Sequence, residues 1–184
     1  MFRKSPRISV YIAIAMVILA VIASLIIANQ GEKASNTLGS SISSITATQS
    51  WRLICLLING VEAKLYLADT PSKQAEGYMF KNSTDFLGVG AVGMLFNIST
   101  QPGYTVAFTM RNVIFPLYLL HITPVEGVGD IAVEVIYMEP GREPYIVSAR
   151  SQHDYFIELD TNFYNKYIAP RGAEGILVRV TGIC

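Results

Sequence analysis

The chain is short of charge. Asp, Glu, Lys and Arg make up 15% of its 184 residues, and acidic and basic side chains balance at 14 each. A typical soluble domain carries about a quarter. No stretch clusters Lys and Arg, so the electrostatic footprint of a nucleic-acid binder is missing. Histidine occurs twice, as His121 and His153, and no Ser, His and Asp arrangement follows a nucleophile elbow. No catalytic residue is assigned on that basis. Cysteine also occurs twice, as Cys55 and Cys184, with no C-x-x-C and no histidine nearby. A zinc site is therefore not expected, no metal ligand set is signalled, and no cofactor is implied. No repeat recurs at a fixed period.

A glycine pattern needs the same scrutiny. Gly88, Gly90 and Gly93 stand as G-x-G-x-x-G in "TDFLGVGAVGMLFNI". That spacing cradles a pyrophosphate only where a strand enters it and a helix leaves it. Here the approach, "KNSTDF", is polar, and the exit, "GMLFNIST", is short and soon meets Pro102. No acidic residue lies about 20 positions on to hold a ribose. Nucleotide binding is not expected.

One long apolar run is present. Ile8 to Ala28 is 21 residues without a charge, enough to cross the hydrocarbon core as a helix. A retained anchor is the favoured reading. A cleaved signal peptide is the rival, although no A-x-A-like site follows. Arg3, Lys4 and Arg7 precede the run, which keeps residues 1–7 cytoplasmic and sends everything after 28 outside. Without those three cations the rest holds 11 basic and 14 acidic side chains, a net charge of −3. Residues 29–50 are rich in Ser, Thr and Asn and read as a flexible stalk. Residues 51–184 are the folded unit. The expected partners are membrane lipid through residues 8–28 and an unidentified small molecule or surface protein.

The folded unit reads as mainly β: a compact, partly closed antiparallel or mixed sheet with two short helices. "WRLICLLI" and "VEAKLYLA" flank Asn59-Gly60, a type I′ hairpin signal. Thr70 is placed to cap a short helix that opens on Pro71 and stops at Gly77. Further strands are expected at Met94–Ile98, Tyr104–Met110, Leu117–Ile122, Ile131–Met138, Tyr145–Ser148, Tyr155–Leu159 and Ile176–Ile183, and a helical turn at Asn162–Ile168. Alternation in "IAVEVIYM" puts Ile131, Val133, Val135 and Tyr137 on one face and Glu134 on the other.

Four segments, "ADTPSKQAEGYMFKNS", "GMLFNI", "FTMRNVIFPLYLLHI" and "YFIELDTNF", follow in one order and spacing. Together they resemble the family called domain of unknown function 192, uncharacterised membrane or exported proteins, from about Val61 to Val178. The family pattern runs A-D-T-P-x-x-x-x-x-G-L-M-F-R, G-M-L-F-x-F, F-W-M-K-N-T-x-I-P-L-D and a late L-E-L. In the resemblance Gly93 belongs to G-M-L-F, and Gly88 and Gly90 fall in a variable loop before it. Thr109, Arg111, Val113 and Tyr118 stand where the family has Trp, Lys, Thr and an acidic residue. Tyr118 in place of a carboxylate removes a base at neutral pH.

Several residues carry two readings each. Arg111 and Asn112 present a forked cation and an amide to a ligand, or Asn112 bonds nearby backbone groups to hold an irregular turn. With the loop of Gly88, Gly90 and Gly93 they form the expected ligand surface. His121 is a packed histidine or a base, and His153 is a surface residue. Glu158 and Asp160 are paired acid–base carboxylates, or Asp160 caps the helical turn after it. Asn82 and Asn97 head glycosylation sequons. Cys55 and Cys184 either bridge, if the terminal strands are neighbours, or remain thiols. The leading functional expectation is a non-catalytic ligand-binding or accessory module at the cell surface. The alternatives are a hydrolase or carbohydrate-active enzyme and a structural protein that assembles by strand addition.

Overall fold

The computed structural model describes residues 50–184 except 143, 173 and 174. The tail at 1–7, the apolar run at 8–28 and nearly all of the stalk lie outside the described residues. Among the described residues no helix is long and apolar enough to cross a membrane.

Asn59 and Gly60 hold φ of 49° and 77°, as a type I′ turn requires. They join β1 (Arg52–Ile58) to β2 (Val61–Ala68), with Ile58 opposite Val61. The next strand, β3 (Gly93–Phe96), lies parallel to β2, so the chain needs a crossover. That crossover holds α1 (Pro71–Glu76) and the glycine loop. The Thr70 side chain accepts the Lys73 amide and Gly77 ends α1 at φ 46°, as its sequence requires.

The remaining strands are β4 (Thr105–Phe108), β5 (Leu117–Val125), β6 (Gly129–Met138), β7 (Tyr145–Ser148), β8 (Tyr155–Asp160) and β9 (Leu177–Ile183). Seven of them close a barrel in the order β1-β2-β3-β8-β5-β6-β9, and β4 pairs β7 in a separate two-stranded sheet. The expected sheet was partly closed. It closes fully because β9 pairs with both β1 and β6. That neighbourhood brings Cys55 opposite Gly182 and joins Cys55 to Cys184 in a disulfide, with Cα atoms 5.3 Å apart.

The barrel wall is buried on both sides. Leu56, Leu65, Leu95, Leu120, Ile157 and Leu159 fill its interior. Met94, Phe96, Leu117, Leu119 and Phe156 point outward into a second core with Tyr78, Phe108 and Val147. For this reason β3 and β5 read as continuous apolar runs rather than alternating ones.

Two expectations need correction. The even alternation over 131–137 fails, because the β5–β6 register shifts at His121/Ile122. Glu134 then faces His121 while Ala132, not Val133, faces Ile122. The strand expected to reach Ile98 stops at Phe96, leaving Asn97 exposed beyond it. The helical turn comprises α2 (Thr161–Phe163), a π turn at Tyr164–Ile168 and a 3-10 turn at Ala169–Arg171.

Candidate functional site

Outside the barrel wall, α1, the residues after it and β4 enclose a cavity of about 170 Å³. Its walls include Ala75 and Tyr78, Phe96 from β3, Val106 and Phe108 from β4, and Glu158 from β8. Alternation along β8 places Glu158 on the same outward face as Phe156. Its cross-strand neighbours are Met94 and Leu119, both apolar. Glu158 is 5% exposed, and among the described residues neither a cation nor a hydrogen-bond donor reaches its carboxyl. Burial alone pushes that carboxyl up to about 8. It is therefore largely protonated at neutral pH.

Tyr78 closes the same cavity. It is 2% exposed, and among the described residues its hydroxyl has no partner. Burial pushes the phenol well above its ordinary range, and the nearby Glu158 pushes it further. Its ring meets Phe115 edge-on at 5.6 Å, which fixes its orientation. Phe96 and Phe108 meet at 5.7 Å and 88°, a T-shaped pair that forms another wall. Glu158 and Tyr78 thus line one cavity, together with apolar and aromatic side chains and the polar Gln74, Glu76 and Thr109. Buried polar atoms without partners are rare.

The turn beside the cavity is unusual too. Phe80 takes φ 62° while 80% exposed, and its amide donates to the Asn112 carbonyl. Asn112 takes φ 57°. Outside glycine this region is uncommon, and for a bulky side chain it is strained. The turn at Asn112 is irregular, and the bond across it is made by its main-chain carbonyl rather than by the local bonding expected of its side chain.

The glycine loop performs a different task. Asp85 accepts the amides of Val89 at 2.9 Å and Gly90 at 2.8 Å, and also the Tyr66 hydroxyl. Burial pushes the Asp85 carboxyl up, but the amides of Gly90, Val89 and Ala91 and the Tyr66 hydroxyl outweigh it and hold it low. These amides already face an anion belonging to the chain. Gly93 is inside β3, where a Cβ would stand 2.3 Å from the Glu158 carbonyl. Its missing side chain lets β3 and β8 approach.

His121 is buried and stacks on Phe156, with Nε2 2.7 Å from Asp154 Oδ2. Asp154 also accepts the Arg150 amide at 2.6 Å. Burial raises the Asp154 carboxyl, but the bonds from His121 and from the amides of Arg150 and Ser151 prevail and hold it below the usual range. His121 does not line the Glu158 cavity, and neither does Arg111. Asp160 caps α2 through the Phe163 amide at 2.9 Å. Tyr118 stacks on Tyr164 at 3.9 Å. Asn82 is exposed on a loop, and His153 is exposed as well. The sequence pointed to Glu158 only as half of a carboxylate pair, and Tyr78 was missed. Only the apolar neighbours Ile157 and Leu159 in the sequence hinted that Glu158 is buried.

The family model DUF192, described as an uncharacterised ACR, matches residues 54–174. No curated protein matches. A solved protein of unknown function from Novosphingobium aromaticivorans DSM 12444 superposes with a TM-score of 0.52 at 20% identity, covering 74% of this chain and 91% of its own. A structure described as a putative transcription regulator from Sinorhizobium meliloti 1021 superposes with a TM-score of 0.49 at 21% identity, covering 71% and 94%.

Proposed function

Because the chain belongs to the DUF192 family, a membership that fixes a domain and no reaction, we propose a function from its own cavity. The domain is a ligand-binding module without catalytic duty, tethered to a membrane through residues 8–28 and held outside the cytosol. The carrying observation is that one cavity is lined both by Glu158, buried with burial alone acting on its carboxyl, and by Tyr78, whose buried hydroxyl has no hydrogen-bond partner among the described residues. A polar ligand group would satisfy both, and the ring walls would hold its apolar part. The uncharged N-terminal run and its cationic flank support the tether. The Cys55–Cys184 bridge suits an oxidising compartment.

Asn112, the loop of Gly88 and Gly90, and Gly93 within β3 enter this reading as framework, and Arg111 lies outside the cavity lining. Asn112 fixes the turn that carries Phe80, and the loop is braced on Asp85.

The test uses the full chain in lipid nanodiscs, screened by thermal shift against small polar compounds, with Ala75→Trp as the control. Ala75 is exposed at the cavity mouth, so the bulkier side chain blocks entry without disturbing the core. A compound that stabilises the native chain and not the blocked variant is expected. If every compound acts equally on both, the cavity is not the binding site.

A second reading rests on Glu158 as well. A carboxylic acid protonated at neutral pH inside a cavity is suited to general-acid work. It would show as a turnover that Glu158→Gln abolishes while ligand affinity survives.

A further inference from the structure

We propose that the Glu158 cavity takes the head of a small aliphatic amine, bound as its ammonium ion between the Glu158 carboxylate, the Tyr78 hydroxyl oxygen and the neighbouring aromatic rings. This rests on the ligand-binding reading of the same cavity and names its ligand class.

The chemistry of the walls selects the charge. An anion would meet a carboxyl, the negative faces of aromatic rings and no free cation. A neutral alcohol or amide would satisfy one or two hydrogen bonds and leave the carboxyl without a counter-ion. An ammonium ion brings up to three donors and a positive charge. One donor reaches the carboxylate, and another reaches the Tyr78 oxygen, which has no partner among the described residues. The rings of Phe96, Phe108 and Tyr78 are part of the lining, where aromatic rings attract a cation and pack against its methylene groups. A cavity of about 170 Å³ matches a short alkyl chain, not a nucleotide or a sugar chain.

The chain's nearby cations are already engaged. Lys73 pairs with Asp69 at 3.0 Å, and Lys81 pairs with Glu76 at the cavity rim. The groups facing Glu158 from the packed elements are few. Glu76 with its Lys81 partner and Tyr78 come from α1 and the turn after it. The lining residues from β3 and β4 carry no titratable side chain, and Met94 and Leu119 beside it are apolar. The incoming ammonium is therefore the ion that Glu158 answers to. The balance is simple. The amine enters already protonated, Glu158 gives its proton to solvent, and the complex keeps one positive and one negative charge.

The test is a titration of the full chain in lipid nanodiscs, with glutamate labelled at the carboxyl carbon and the Glu158 signal identified by its loss in Glu158→Gln. The probe is n-butylamine at pH 7, with n-butanol as its uncharged isostere. The expected result is a saturable shift of the Glu158 carbon to its ionised position with the amine and not with the alcohol. Amine affinity should rise about tenfold per pH unit from 6 and level off near 8, as a released proton demands. Ala75→Trp should abolish the shift. If both probes bind and Glu158 stays protonated, the ammonium assignment is overturned and the ligand cavity stands. If neither probe moves the signal, both are overturned. Calorimetry of both probes on the native chain and on Ala75→Trp keeps the test decisive even where Glu158→Gln folds poorly.

Discussion

The Phe80 amide donates to the Asn112 carbonyl at 2.9 Å, and both residues hold the left-handed backbone, at φ 62° and 57°. One such non-glycine residue is uncommon, and here two are locked together across a loop. Left-handed backbone costs an ordinary L-residue about 1–2 kcal/mol. Phe80 is largely exposed, so Phe80→Gly forfeits little burial. The variant should gain about 1 kcal/mol in unfolding free energy by urea titration. Asn112→Gly should be near neutral, and Asn112→Val should lose about 1–2 kcal/mol.

Gly93 and Gly90 should respond differently to alanine. At Gly93 the new Cβ would meet the Glu158 carbonyl, which is backbone and cannot swing aside. Separating β3 from β8 should cost about 3 kcal/mol or prevent folding. At Gly90 nothing crowds a Cβ, so only its φ of 78° opposes the change. That loss should be about 1 kcal/mol. Chemical denaturation of the two variants makes the comparison.

Glu158 predicts an alkaline loss of stability. Its folded pKa of about 8 exceeds its ordinary value of 4.5, so the unfolded chain gives up the proton first. The contribution is full below 4.5, falls as pH rises and flattens above about 8. The span corresponds to about 4–5 kcal/mol. Glu158→Gln should remove that slope in unfolding curves measured from pH 4 to 9. An unchanged slope would show that the carboxyl is not held protonated.

Asp154 predicts the opposite limb. Its folded carboxyl is held below the ordinary range, so its contribution is present above that range and lost as pH falls through it. Asp154→Asn should flatten the acid limb. His121→Ala leaves a buried carboxylate without its partner and should cost about 3–5 kcal/mol. The acid and alkaline limbs have separate owners, so the variants should act independently.

The Cys55–Cys184 bridge spans 129 residues. In the chain-entropy view, a cross-link that distant removes about 5 kcal/mol of unfolded-state freedom. Melting with and without reductant should show a large fall, and Cys184→Ser should reproduce it without reductant.

Local signals were legible in the sequence. Asn59-Gly60 dictated its hairpin, and Thr70, Pro71 and Gly77 bounded α1. Asp160 capped α2 through its own side chain. These features depend on residues a few positions apart. The cavity does not, because Glu158 is orphaned only by the meeting of β8 with β3 and β5 and by the cover of α1 and β4. A pattern of alternating residues could not show that the outward face is buried as well. Nor could it show the register shift beside His121, which moves Glu134 and Ala132 onto their observed faces. The partnership of His121 with Asp154 spans 33 positions and has no local signature.

The barrel's seam lies between its first and last strands. As the polypeptide leaves a ribosome or a translocation pore, β1 and β6 both wait with bare edges until residues 177–183 arrive. During that interval the growing chain offers two sticky borders to its neighbours. A chaperone that shields such borders would suit its biogenesis, and Cys55 can meet Cys184 only after β9 docks.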